Sequence, residues 1–145
     1  MSEKYKFFTP VRVRYADTDA QGHVFFSNYL VYFDQGLTDY LKAVGYSYDA
    51  MLEDGFDFFY VETQCTYKGS ARFDDVLNVY ARITHIGRTS FTFHFAIYKA
   101  DTDALIATGR IVAVAVEKGG RRPVPVPEKL RLAVENYEGE PLPQP

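Results

Sequence analysis

The chain has 145 residues, 47% hydrophobic and 24% charged, the composition of an ordinary globular chain long enough to bury one core. Its net charge of −3 offers no broad basic field, which argues against nucleic acid as a partner, and no run reaches the ~20 apolar residues of a membrane helix, which argues against membrane insertion. The only cysteine, Cys65, cannot close an internal disulfide, and the opening residues carry no apolar h-region, so a cytoplasmic protein is expected.

Pro10–Tyr15 alternates Val11, Val13 and Tyr15 against Arg12 and Arg14, which predicts a half-buried strand. Further on, Phe26, Tyr29, Leu30, Phe33, Leu37, Tyr40, Leu41 and Val44 recur at spacings of three and four. That period predicts a long helix with one broad apolar face, capped by Ser27 or Asn28 and closed by Gly45. Ser47–Asp54 predicts a short helical turn. From Phe58 the period changes to two, and Phe58–Lys68, Val76–Ile86, Ser90–Lys99 and Leu105–Glu117 read as four long strands joined by short turns, hence mainly antiparallel neighbours. Phe and Tyr at 12 each favour sheet as well. A Pro-rich stretch, a helical turn at Glu128–Asn136 and a loose end complete the chain.

Strand, long helix and four antiparallel strands make an α+β layout, a single domain over residues 1–145 with a core at about 8–127 and a tail at 128–145. The strand Ser90–Lys99 gathers Phe91, Phe93, Phe95 and Ile97 on one face. Leu105–Glu117 is apolar on both faces, with Val112, Val114 and Val116 opposite Leu105, Ala107, Ile111, Ala113 and Ala115. One helix covers only one face, so an obligate oligomer is expected.

Between the first strand and the helix stands D-T-D-A-Q-G-H-V-F-F-S-N. As a calcium loop it fails at position 12, where Asn28 replaces the bidentate Glu, and a strand rather than a helix precedes it. A phosphatase nucleophile needs a buried, continuously apolar strand, whereas V-R-V-R-Y alternates. Asp17, Asp19 and His23 offer few ligands for a metal, and there is no G-x-S-x-G nucleophile motif. Two readings remain open from the residues alone. In one, a carboxylate beside a helix N-terminus activates water or attacks, while unpaired N–H groups hold an oxyanion and Gly22 permits the tight turn. In the other, the aspartates merely hydrogen-bond the backbone of a turn.

The run Y-A-D-T-D-A-Q-G-H-V-F-F-S-N-Y-L-V-Y-F resembles the active-site motif of the hot-dog-fold acyl-CoA thioesterases, specifically the 4-hydroxybenzoyl-CoA thioesterase-like family. The likeness covers roughly residues 8–127, including the G-R-T-S turn at Gly87–Ser90 and the closing R-P-V-P. It implies a hot-dog fold, a long central helix wrapped by a five-stranded antiparallel β-sheet, and hydrolysis of a short-chain, long-chain or aromatic acyl-CoA to free acid and CoA. It further implies Asp19 as general base or nucleophile, the backbone N–H of Phe26 as oxyanion donor, and Asp17 as the residue that orders the loop. His23, Tyr29 and Asp34 would line the acyl side, and Arg88, Arg121 and Arg122, with Lys118 nearby, would meet the phosphates of CoA. No metal and no cofactor beyond the substrate's coenzyme A are implied. A homodimer assembling to a homotetramer is expected. Two alternatives are a thioesterase acting on acyl-carrier protein and a non-catalytic acyl-CoA-binding protein on the same fold.

Overall fold

In the computed structural model, which describes residues 4–143, the chain runs β1 (Phe7–Arg12), a 3₁₀ turn (Tyr15–Asp17), α1 (Asn28–Val44), α2 (Tyr48–Glu53), β2 (Phe56–Tyr67), β3 (Val76–Ile86), β4 (Ser90–Lys99), β5 (Leu105–Glu117) and α3 (Glu128–Glu138). The strands form one five-stranded antiparallel sheet in the order β1-β3-β4-β5-β2. The period-two pattern sends Leu77, Val79, Ala81 and Ile83 of β3, Phe91, Phe93, Phe95 and Ile97 of β4, and Ala107, Ile111, Ala113 and Ala115 of β5 into the core. α1 supplies the other half of that core through Tyr29, Phe33, Leu37, Tyr40 and Leu41. Each large side chain buried there contributes roughly 1.5–3 kcal/mol of transfer free energy.

One contact sets how closely α1 approaches the sheet. The ring of Phe33 stacks on Phe95 with centroids 4.7 Å apart. The same ring occupies the space above Gly109 of β5, where a Cβ would overlap it. The small residues of β5 therefore make room for the large ones of α1.

The structure shifts several expected boundaries. The first strand is Phe7–Arg12 rather than Pro10–Tyr15. The expected parity holds through Val11 and Val13, but Tyr15 leaves the strand and is 80% exposed. The strand stops because the Asp17 carboxylate accepts the backbone N–H of Arg14 at 3.0 Å, which folds the chain into the 3₁₀ turn. α1 begins at Asn28 after Ser27, whose side chain makes no capping bond, and Phe26 lies outside the helix at 61% exposed instead of on its apolar face. Tyr32 and Gly36 join the buried face of α1, and Gly45 closes it with a φ of 93°. The expected turn near residue 128 is the full helix α3, which packs with Leu130 and Val134 fully buried. The end is not loose at Leu142 either, which is buried and donates its N–H to Glu135 at 2.9 Å.

Candidate active site

Asp17 ties the two sides of the loop together. Its carboxylate is buried and accepts from the Arg14 guanidinium at 2.9 Å and from the Tyr32 hydroxyl at 2.9 Å. Its carbonyl accepts the N–H of Phe25 at 2.8 Å and the side-chain amide of Asn28 at 2.9 Å. Burial alone would raise the Asp17 pKa, but the bonds from Arg14 and Tyr32 outweigh it and hold the carboxyl below its ordinary range. A depressed native pKa contributes stability that is complete above the ordinary carboxylate value of about 3.9 and is lost as pH falls through the lower folded value. Asp17→Asn is therefore expected to lower the melting temperature at neutral pH, with the gap from the parent narrowing in acid. A gap that stays constant from neutral pH into acid would refute this linkage.

Asp19 stands in a tight hairpin. Thr18 and Val24 form a bridge, the Asp19 N–H donates to the His23 carbonyl at 2.8 Å, and the Gly22 N–H returns to the Asp19 carbonyl at 2.9 Å. Gly22 has a φ of 81°, a conformation costly for any residue with a Cβ. The Asp19 carboxylate accepts the Gln21 N–H at 2.9 Å, and among the described residues no cation lies within ion-pair distance of it. It opens on a cleft of about 660 Å³ whose walls include Tyr15, Thr18, Gly22 and Phe73. The N–H of Phe26 has no backbone acceptor among the described residues, so the positive end of α1 is open beside this loop. Tyr29 is buried beneath the helix start between the rings of Tyr32 and Tyr67, and the Tyr67 hydroxyl donates to the Phe26 carbonyl at 3.0 Å. His23 is half-buried on the returning arm of the hairpin, bridged to Arg72. Asp17, Asp19 and His23 do not gather as a three-ligand metal cluster among the described residues.

Tyr15, Arg72 and Phe73 are the residues that sequence reasoning missed here. The Arg72 guanidinium sits against Gly22, and Phe73 meets the Tyr15 ring edge-on at 6.2 Å. Both come from the β2–β3 connection, and no local pattern joins that turn to the hairpin.

Asp34 belongs to a different pocket. It accepts a short hydrogen bond from the Tyr60 hydroxyl at the rim of a cavity of about 400 Å³ lined by Leu37, Leu41, Tyr48, Phe58 and Phe59. Burial first, and then the Asp34 carboxylate, push the Tyr60 phenol above its ordinary pKa. The expected phosphate ligands stand further off still. Arg121 lies over the Phe59 ring at 5.9 Å, Arg122 pairs with Glu117 at 3.4 Å, and the Arg88 carbonyl accepts from Val126 at 2.9 Å. Arg88, Lys118, Arg121 and Arg122 thus cluster where β3 and β5 end and β2 begins. The Asp19 hairpin, bridged to Arg72, lies where β3 begins. The 11 residues of β3 separate these ends, roughly 33 Å at the rise of a strand. One chain does not bring Arg88, Arg121 and Arg122 to Asp19.

The five-stranded antiparallel sheet with one long helix on its face, and the D-x-D hairpin feeding that helix, match the hot-dog architecture expected from the sequence motif. The chain belongs to the thioesterase-like superfamily, whose family model matches residues 13–134. It is 28% identical over 128 residues to the acyl-CoA thioesterase YbgC of Haemophilus influenzae, covering 88% of this chain and 93% of that one. Among solved structures, the Aquifex aeolicus protein AQ1494 superposes with a TM-score of 0.81 at 28% identity, covering 88% of this chain and 98% of its own. The gentisyl-coenzyme A thioesterase BH1999 superposes with a TM-score of 0.78 at 27% identity, again over 88% and 98%. No helix among the described residues is long and apolar enough to cross a membrane.

Proposed function

We propose that the protein hydrolyses an apolar or aromatic acyl-CoA thioester, with Asp19 as general base or nucleophile and no cofactor beyond the coenzyme A of the substrate. The observation that carries this reading is the Asp19 carboxylate, open to a cleft and paired with no cation among the described residues, on the hairpin that leads into α1, where the N–H of Phe26 has no backbone acceptor among the described residues. As general base, Asp19 takes a proton from water and the hydroxide adds to the thioester carbonyl carbon. The Phe26 N–H holds the resulting oxyanion, the C–S bond breaks, and CoA leaves as the thiol once protonated. As nucleophile, the carboxylate adds directly, the C–S bond breaks to release CoA and leave a mixed anhydride, and water then opens it to the free acid and the Asp19 carboxylate. A cytoplasmic location fits the single half-buried thiol of Cys65.

The site is completed by a second copy. Among the described residues β2 is an edge strand of 12 residues with no strand on its outer side, and Val61 on it and Phe26, whose carbonyl accepts from its Tyr67, are exposed. Antiparallel pairing of two β2 edges about a twofold axis brings the Asp19 end of one copy to the end of its partner that carries the Asp34 cavity and Arg121. The cavity then receives the acyl group, with His23 and Tyr29 on its near side, and Arg88, Arg121 and Arg122 lie on the side that the CoA phosphates approach. The aromatic lining suits an apolar or aryl group, in keeping with the gentisyl-CoA substrate in the name of one relative. A homodimer, assembling further to a homotetramer, is expected, so light scattering should give a multiple of the 16.6 kDa chain mass. A monomeric mass at micromolar concentration would remove the completed site. A thiol-release screen over short, long and aromatic acyl-CoAs tests the function itself. Tight binding without thiol release across the whole panel would overturn it.

A further inference from the structure

The face of the sheet turned away from α1 carries a row of basic groups with no role in the proposed hydrolysis. Phe93 and Phe95 are buried under α1, so His94 between them projects to the opposite face. The register places Arg82 directly opposite His94, His94 opposite Arg110, and Arg110 opposite Gln64, in one line across β3, β4, β5 and β2. Two guanidinium groups, Arg82 and Arg110, therefore flank the His94 imidazole on one face. The carboxylates that answer them sit only at the margins, Glu140 on Arg82 at 3.3 Å and Glu62 on Arg110 at 3.1 Å, both well exposed. No carboxylate pairs with the middle of the row among the described residues.

That middle is hollow. A cavity of about 420 Å³ has Gln64, Thr66, His94, Thr108 and Arg110 on its floor and Lys4 on its wall. The Nε of Arg110, which lines the cavity, is buried without a hydrogen-bond partner among the described residues, as is that of Arg82 on the neighbouring strand, and a buried donor left unanswered is unfavourable. His94 Nδ1 is bonded to Thr84 Oγ1 at 2.8 Å, which leaves Nε2 without a protein partner among the described residues. The other titratable groups around it are His85 on β3 and the phenols of Tyr5 and Tyr98. The cavity shares no lining residue with the Asp19 cleft or the Asp34 cavity.

We propose that this pocket is a binding site for a small oxyanion, inorganic phosphate or the phosphoryl group of a larger ligand, held by Lys4, His94 and Arg110 with the hydroxyls of Thr66 and Thr108. Hydroxyl, amide, guanidinium and ammonium donors line the cavity, and a tetrahedral oxyanion can accept from each of these types. The anion also offsets the positive charge of the row. Without it, burial and then the charges of Arg110, His85, Lys4 and Arg82 hold the His94 pKa below its ordinary value. An anion favours the imidazolium, so binding tightens as pH falls and occupancy moves the titration of His94 to higher pH.

The test is an NMR titration of the three histidines, at constant ionic strength, in chloride, in inorganic phosphate and in free coenzyme A. The expected result is an upward move of the His94 midpoint in phosphate relative to chloride. Phosphate affinity should fall about tenfold in Arg110→Gln, the loss of one charge-assisted bond, and measurably in Lys4→Gln, which alters a surface residue only. A response to coenzyme A but not to phosphate supports the site and assigns the phosphoryl group to a nucleotide. A His94 midpoint equal in all three media overturns the proposal, as does an unchanged affinity in both variants. Neither result depends on whether the protein releases thiol from acyl-CoA.

Discussion

Asp19→Asn is expected to lower thiol release from acyl-CoA by about 10²–10⁴-fold, the range a positioned proton acceptor contributes, while leaving the melting temperature close to that of the parent. Asparagine retains the oxygen that accepts the Gln21 N–H, so the hairpin keeps its internal bond. No cation loses a partner, and the half-buried position tolerates an amide of the same shape. What disappears is a negatively charged oxygen able to take a proton from water or to attack the carbonyl carbon. The comparison with Asp17→Asn makes the result specific. That variant disturbs the Arg14 and Tyr32 bonds and should cost stability, whereas Asp19→Asn should cost turnover. Equal activity of parent and Asp19→Asn on any hydrolysed acyl-CoA would end the assignment of Asp19.

Phe33→Ala is expected to lower unfolding free energy by about 3–5 kcal/mol, the usual consequence of emptying a fully buried aromatic site. The ring has no exposed surface, stacks on Phe95 and fills the space that Gly109 leaves open. The sheet cannot rise to close the hole, because β5 is held on both sides by β4 and β2. Against the 5–15 kcal/mol typical of a domain, a large fraction of the total would be lost. Urea unfolding checks it through a lower midpoint at an unchanged slope. A loss under about 1 kcal/mol would show that the Phe33 contact does not support the core. The converse change, Gly109→Ala, places a methyl group against the Phe33 ring and the Gln64 carbonyl, and overpacking of this kind costs about 1–3 kcal/mol.

Much of this architecture is local in origin. The alternation of Phe91, Phe93, Phe95 and Ile97 specifies both the strand and its buried face, because a period of two has no other way to bury one set of side chains. The three-and-four spacing from Tyr29 to Leu41 does the same for α1. The boundaries were less legible. Tyr15 continues the alternation of the first strand, yet Asp17 captures Arg14 and turns the chain away. Phe26 continues the helical period, yet the turn from Phe25 to Asn28 precedes the first helical residue. In both places a side-chain or turn hydrogen bond overrides periodicity. Glu128–Glu138 is polar enough to read as a single turn, and only burial of Leu130 and Val134 in the core, with Tyr137 and Glu138 against Tyr40 of α1, makes it a stable helix.

The sequence by itself determined the α+β order of elements and the buried face of the Phe91–Ile97 strand, since each rests on residues adjacent in the chain, and it singled out the D-T-D-A-Q-G-H stretch as the candidate site. Only the tertiary structure decided what the two aspartates touch, which walls stand around Asp19, and that Arg88, Arg121 and Arg122 lie a full strand length from it. It also aligned Arg82, His94 and Arg110, on three different strands, into one row. The physical reason is the same in each case. Contacts between residues tens of positions apart are set by sheet register and by the path of the β2–β3 connection, and neither leaves a periodic trace in the sequence.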